Sequence, residues 1–393
     1  MLRGWIAKML LVIQLAVAGV FLTGLVVNWI GREGIKSPVG VALAGDLLKH
    51  QGAGVFVQEG RMLDLYQGGQ LGGWVYEQTE GKPVPPGLEG YDYVYPPWVA
   101  AVAAWGAGWP YLAWALGLQV LLLAAHGLAY LWMRGCGAVL DVRAWAAWWG
   151  LPLVYYNIII GQNGGLSLMI FAGSGLLLVR GYPVAAGLLA ACTAYKPQLA
   201  PLLVLFMAAA GQWRFAAGLA AGAALWAGAG ILAVGWEAHA AWLGAVRRMS
   251  SGELPVMLEL NPSLPGFAGA WGGRAAQGLA SLAGAGILAC AGWRLRQEPF
   301  PARMLWAGLA GLCVWSPYVM YYDLLLAAPM WLIVSREGGW RAKAGGVLFW
   351  LGALLSVNPV QAAANPGTPF LLAWWVLAVW PRRGQYPRTE PSA

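Results

Sequence analysis

The residues of this sequence best placed for chemistry are a few polar groups set in long apolar runs. From Gly161 to Gln198, two apolar spans are bounded by Gly161-Gln162-Asn163 at one end and Tyr195-Lys196-Pro197-Gln198 at the other. Lys196 is the only charged residue between Arg180 and Arg214, and Asp323 the only one between Arg303 and Arg336. A lone ammonium in apolar sequence is costly in a bilayer and by default marks a functional site with an anionic partner. Two structural readings compete: a lysine snorkelling from a helix end to the lipid surface, and an ion pair with Asp323 inside a bundle. Gln162, Asn163 and Gln198 are helix-end amides of the kind that also cap or bridge helices. Tyr321 and Tyr322 are also of the kind found in an interfacial belt. Asp46 stands in a polar stretch with eight acids, where a carboxylate is ordinarily solvated.

The elements that must position these groups are membrane helices. The chain has 393 residues, 60% hydrophobic and 10% charged, whereas a soluble domain carries about 25% charged residues. The fold class expected is an all-α polytopic membrane protein, residues 1–393 forming one bundle. Met9 to Ile30 makes a first crossing, longer than the apolar core of about 7–15 residues of a cleaved signal peptide. Residues 31–95 form a long polar loop in which Val41 to Tyr66 suits short amphipathic helices on the membrane surface. Trp98 to Met133 is too long for one straight span and is broken at Gly108-Trp109-Pro110. Further spans cover 144–160, 164–180, 183–198, 199–212, 215–235, 275–293, 304–316, 319–335, 341–357 and 367–381, with a second polar region at 236–274. The expected total is about 12 crossings, within roughly 10–13, at about 20 residues each.

The charges orient this bundle and exclude other classes. The net charge of +8 is spread between spans rather than gathered into a nucleic-acid-binding patch. With the N-terminus inside, 15 of the 24 bases and only four of the 16 acids fall on the cytoplasmic side, as the positive-inside rule requires. Both termini are then cytoplasmic. Four scattered cysteines and three histidines show no metal-ligand spacing. In this topology Asp46, Gln162, Asn163, Lys196, Gln198, Asn261-Pro262-Ser263, Ser316-Pro317, Tyr321, Tyr322 and Asp323 all lie toward the external face. Structural accidents would fall on both faces. A cavity open to the outer leaflet, with one buried cation, amides, tyrosines and two carboxylates, suits a lipid-linked anionic substrate.

The pattern Gly161-Gln162-Asn163, Arg180-Gly181-Tyr182-Pro183, Ala186-Gly187, Tyr195-Lys196-Pro197-Gln198 and Gly211-Gln212-Trp213-Arg214 resembles the polyprenol-phosphate-mannose-dependent mannosyltransferases and their bacterial relatives. These are integral-membrane glycosyltransferases of the GT-C class. The resemblance extends to Gly45-Asp46, Gly60, Leu65-Tyr66, Tyr95-Pro96-Pro97, Ser316-Pro317 and Tyr322-Asp323. It implies a GT-C bundle with the catalytic carboxylate in the first external loop. It also implies a polyprenyl-phosphate sugar donor, a lipid or glycan acceptor, inversion at the anomeric carbon, and a bacterial inner-membrane location.

On that resemblance Asp46 is the base that takes the acceptor hydroxyl proton, and Lys196 stabilises the phosphate leaving group as its charge grows. Gln162, Asn163 and Gln198 would orient phosphate or sugar hydroxyls, Tyr321 or Tyr322 would stack on a sugar, and Asp323 would hold Lys196 or bind sugar hydroxyls. Two departures stand out. Relatives often carry histidine where this chain reads Tyr318-Val319-Met320-Tyr321-Tyr322, and tend to read Asn-Gln-Ser where it reads Asn261-Pro262-Ser263. Some GT-C enzymes bind a divalent ion through paired acids in the first loop. Asp46 has no acidic neighbour, so no metal or other cofactor is expected. A transporter or flippase of lipid-linked sugars and a non-catalytic envelope-assembly protein are the alternative functions, although the inverted repeat halves typical of many transporters are not evident.

Overall fold

The computed structural model describes residues 2–38, 42–67, 69–79, 93–136, 141–251, 260–336, 339–357 and 364–379. Among them the protein is all-helical, with seventeen α-helices, short 3-10 turns and no β-strand. Leu11–Ile30, Tyr111–Gly135, Trp213–Val234 and Leu264–Leu295 are long and apolar enough to cross a membrane. Pro152–Ile159 and Gly164–Val179, bent by 120° at the Gly161-Gln162-Asn163 break, form a fifth span if taken together. The chain is thus a multi-pass membrane protein, and its helix lengths do not reproduce the count of about 12 full crossings.

The largest difference lies around Lys196. Where hydropathy predicts spans over 183–198 and 199–212, the chain forms two shorter helical runs, Pro183–Ala190 continued by Ala191–Thr193, and Leu199–Ala209. Pro197 interrupts the run between them. Eleven residues of helix reach about 16 Å, half of a hydrocarbon core of about 30 Å. At the ends of this pair away from Lys196, Gly181 (φ +82°) and Gly211 (φ +80°) take the left-handed conformation that closes a helix. Pro183 opens the next one, where its missing N–H costs nothing. The arginine-glycine and proline motif residues therefore have a turn-making role in addition to any family signature.

Close packing fixes the Lys196 turn in place. A Cβ on Gly187 would lie 2.2 Å from the Phe215 carbonyl, and one on Gly218 would lie 2.4 Å from the Val184 carbonyl. The Pro183–Ala190 and Trp213–Val234 helices thus touch backbone to backbone, as small residues permit between membrane helices. Trp148, Phe171, Phe206, Phe215, Trp306, Phe349 and Trp374 fill the common core.

The two polar regions pack on each other as a second layer. Gly45–Gln58, Met62–Tyr66, Gln70–Gln78 and Trp236–Ser251 are its helical pieces. Ala53, Phe56, Leu65, Tyr66, Leu71, Tyr93, Ala100 and Ala245 form its own apolar cluster, and Trp242 Nε1 donates to the Val94 carbonyl at 3.0 Å. The amphipathic helix expected within 41–66 does form. Its apolar residues Leu47, Leu48, Ala53 and Phe56 are buried in protein, so that face is unavailable to a lipid surface. Pro97–Ala103 and Ala104–Gly106 make the short broken piece expected before the Tyr111–Gly135 helix.

Candidate functional site

The first wall of the site is the start of the Gly45–Gln58 helix, docked on the Gly161-Gln162-Asn163 turn. Ala44 N–H donates to the Ile159 carbonyl at 3.1 Å, and Asp46 N–H to the Ile160 carbonyl at 3.0 Å. Gly161 has φ +72°, and a Cβ there would lie 2.9 Å from that of Ala44. Only glycine permits this approach without strain. The contact brings Gln162 to Asp46. Its Nε2 donates to Asp46 Oδ2, while Lys49 Nζ donates to Oδ1 at 2.9 Å. Both oxygens are held, and each keeps a lone-pair site for a ligand.

Asp46, Lys49 and His50 share one helix face by their i, i+3, i+4 spacing. The Asp46 side chain is 27% exposed and lines the cavity described below. Burial works to raise its carboxyl; the Lys49 charge and hydrogen bond, the Gln162 amide and His50 outweigh it and hold the group below its ordinary value of 3.8. His50 Nδ1 shares a hydrogen bond with Tyr93 Oη at 2.8 Å, and its ring lies 4.7 Å from that of Tyr95. Burial pushes His50 down from 6.5 to about 4; Asp46 opposes the shift, and Lys49 and Lys196 add to it.

That shift carries a stability prediction. Between about 4 and 6.5 the unfolded chain binds a proton at His50 that the folded chain does not, so this group makes stability fall as pH falls through the window. Thermal unfolding of His50→Asn in detergent is expected to depend less on pH there than that of the wild type. An identical slope in the variant would contradict a neutral, enclosed His50.

The second wall is the Lys196 turn against the segment after Pro301–Trp315. Lys196 Nζ donates to Asp323 Oδ1, and both side chains are 4% exposed. This burial is incompatible with a lysine snorkelling to lipid. Asp323 Oδ2 also accepts the Met320 N–H at 3.2 Å. The ammonium lies 5.0 Å from the Tyr322 ring centroid, and Asp323 is its hydrogen-bond partner, so two of its three N–H donors remain for a ligand. Gln198 lines the same space, and its amide makes no hydrogen bond among the described residues.

The third wall belongs to the Leu264–Leu295 helix. Ser263 caps it by accepting the Gly266 N–H at 3.1 Å. Asn261 Nδ2 and Gln277 Nε2 each donate to the Pro317 carbonyl at 3.1 Å, tying this helix to the Ser316-Pro317 turn.

These walls enclose a cavity of about 780 Å³. Of the residues singled out from sequence, it brings together Asp46, Gln162, Lys196, Gln198, Tyr322 and Asp323. Asn163 and Tyr321 are outside its lining. Asn163 Nδ2 donates to Tyr95 Oη at 3.2 Å, and its carbonyl accepts from Ser167 Oγ at 3.2 Å. Ser167 in turn pairs with Tyr195 Oη at 2.7 Å, so Asn163 links two walls. Tyr321 packs edge-on against Tyr156 and Tyr322, with ring centroids 6.2 and 5.3 Å away.

The cavity also holds residues that sequence reasoning passed over: Lys49, His50, Tyr93, Trp242, Arg274 and Gln277. The i, i+3, i+4 spacing of Asp46, Lys49 and His50 was a usable signal for two of them. Arg274 and Gln277 gave none, since they sit where a polar region meets a span. Among the described residues, no three His, Cys, Asp or Glu side chains gather as metal donors.

No curated protein and no solved structure matches the chain significantly. The sequence profile of glycosyltransferase family 87 matches residues 93–317. This region contains the Gly161-Gln162-Asn163 and Tyr195-Lys196-Pro197-Gln198 walls and ends at Pro317, while Asp46 and Asp323 lie outside it. The match covers more than half of the 393 residues, and the chain therefore belongs to glycosyltransferase family 87.

Proposed function

We propose that this membrane glycosyltransferase moves a hexose, mannose by resemblance, from a polyprenyl-phosphate sugar to a lipid or glycan hydroxyl on the outer face of a bacterial inner membrane. The observation that carries this reading is the joining of two polar assemblies in one cavity among membrane helices. One is Asp46 with Lys49 and Gln162; the other is Lys196 with Asp323 beneath Tyr322. The first is suited to an attacking hydroxyl, the second to an anionic leaving group.

In the proposed step the acceptor oxygen attacks the anomeric carbon as the bond to the phosphate oxygen breaks. The electron pair leaves with the polyprenyl phosphate, and the acceptor proton passes to Asp46. Attack opposite to departure inverts the anomeric carbon. Lys196 can donate to the phosphate oxygens while Asp323 fixes its position, an interaction that strengthens as charge develops. Gln198 is free to donate to phosphate or sugar, and Tyr322 offers a ring face. Gln162 positions Asp46, Asn163 acts through Tyr95, and Tyr321 supports Tyr322. No metal or other cofactor enters this scheme.

The test is transfer by the purified protein in nanodiscs. Synthetic short-chain polyprenyl-phosphate mannose, the glucose analogue and GDP-mannose are offered with an envelope lipid extract, and the product anomer is read by NMR. Transfer with inversion from a polyprenyl-phosphate hexose is expected. Transfer from GDP-mannose alone would sink the donor assignment.

A further inference from the structure

The cations of the cavity are not equivalent. Lys49 is paired with Asp46 and Lys196 with Asp323. Arg274 lines the same space, is exposed, and has no carboxylate partner among the described residues. With His50 held neutral at physiological pH, the two ion pairs cancel, and the net positive charge of the described lining rests on Arg274. An uncompensated cation adds net charge for a phosphate beside the hydrogen-bond donors that the paired Lys196 supplies.

The backbone puts this arginine at a special point. At Gly273, φ +68° and ψ −165° interrupt the Leu264–Leu295 helix. The following 22 residues, 274–295, reach about 33 Å, close to a hydrocarbon core of about 30 Å. Arg274 therefore begins the membrane-spanning part of the helix. Below it, Gln277, Gly278 and Ser281 also line the cavity, at the i+3, i+4 and i+7 positions that share its face. On another face of the helix, Leu279 is 69% exposed. One face is thus polar or small and turned to the cavity, with a guanidinium at its head. A planar guanidinium also matches phosphate oxygens in a two-bond fork that an ammonium cannot form.

We infer that Arg274 seats the phosphate of a lipid-linked substrate, at the head of the polar, cavity-facing side of this helix. This deepens the proposed function and rests on it: Lys196 supplies hydrogen-bond donors held in place by Asp323, and Arg274 supplies the uncompensated charge.

The test is equilibrium binding to full-length protein in nanodiscs, with farnesyl phosphate, farnesol and inorganic phosphate as probes, for wild type, Arg274→Gln and Arg274→Lys. Farnesyl phosphate is expected to bind wild type well and Arg274→Gln about 10-fold or more weakly, the loss of a charge-assisted hydrogen bond. Arg274→Lys should fall between them, and farnesol binding should be the same in all three. Equal affinity of wild type and Arg274→Gln for farnesyl phosphate would overturn the inference, as would an equal loss for farnesol. Inorganic phosphate binding as tightly as farnesyl phosphate would overturn the lipid source. Failure of the wild type itself to bind farnesyl phosphate would take the proposed donor class down as well, a result distinct from a loss confined to the variant.

Discussion

Asp46→Asn is expected to lower kcat for glycosyl transfer about 10²–10⁴-fold, the usual contribution of a positioned general base. The KM for the donor should change little. The side chain keeps its size, so the Ala44 and Asp46 backbone bonds to Ile159 and Ile160 can persist. The amide has lost the charge that Lys49 and Gln162 now hold in place, and with it the ability to take a proton from the acceptor. The wild-type carboxyl lies below its ordinary value of 3.8, so it stays ionised down through that pH. The acid limb of kcat/KM should therefore be absent between pH 5 and 8. Initial rates with a synthetic donor, with thermal unfolding of the same preparations, test this. A folded Asp46→Asn protein retaining more than about a tenth of wild-type kcat would remove Asp46 from the role of base.

The second large effect concerns the buried ion pair. Removing one partner of such a pair leaves an uncompensated charge at a cost of about 3–5 kcal/mol, whereas replacing both with apolar residues is often neutral or stabilising. Lys196→Met would leave Asp323 with the Met320 N–H, and Asp323→Leu would leave Lys196 without its anion. Each single variant should lower the unfolding temperature strongly, and Lys196→Met/Asp323→Leu should regain most of the loss. Transfer activity should remain lost in the double variant, because the phosphate-facing donors are gone. A stable, fully active double variant would reduce the pair to a structural tie and leave donor binding to other groups.

Several of these features were legible in the residues. The apolar composition and the spacing of bases announce membrane helices, because each crossing must satisfy its own backbone hydrogen bonds and exclude charge. Isolation marked Lys196 and Asp323, since a charge inside an apolar run must find a partner. The pairing was open from sequence because their distance along the chain is 127 residues. The break at Gly108-Trp109-Pro110 was readable from local chemistry alone. The spans expected over 183–198 and 199–212 form as shorter apolar helices, Pro183–Thr193 and Leu199–Ala209. Hydropathy averages over a window, so it places the break near Pro197 but does not show that the helices on either side are only about half a membrane long.

By itself the sequence determined the class, the turns and the isolated charges, all properties of local composition and spacing. Tertiary structure decided which of those groups share a cavity. Asp46 meets Gln162 because Gly161 allows Ala44 to approach its backbone. Lys196 and Asp323 neutralise each other, and Arg274 emerges as the uncompensated cation, because three segments far apart in the chain converge there. Asn163 and Tyr321, next to cavity residues in sequence, point into supporting contacts instead. Adjacent side chains on a turn or helix face different directions, and only packing chooses which of them faces the cavity.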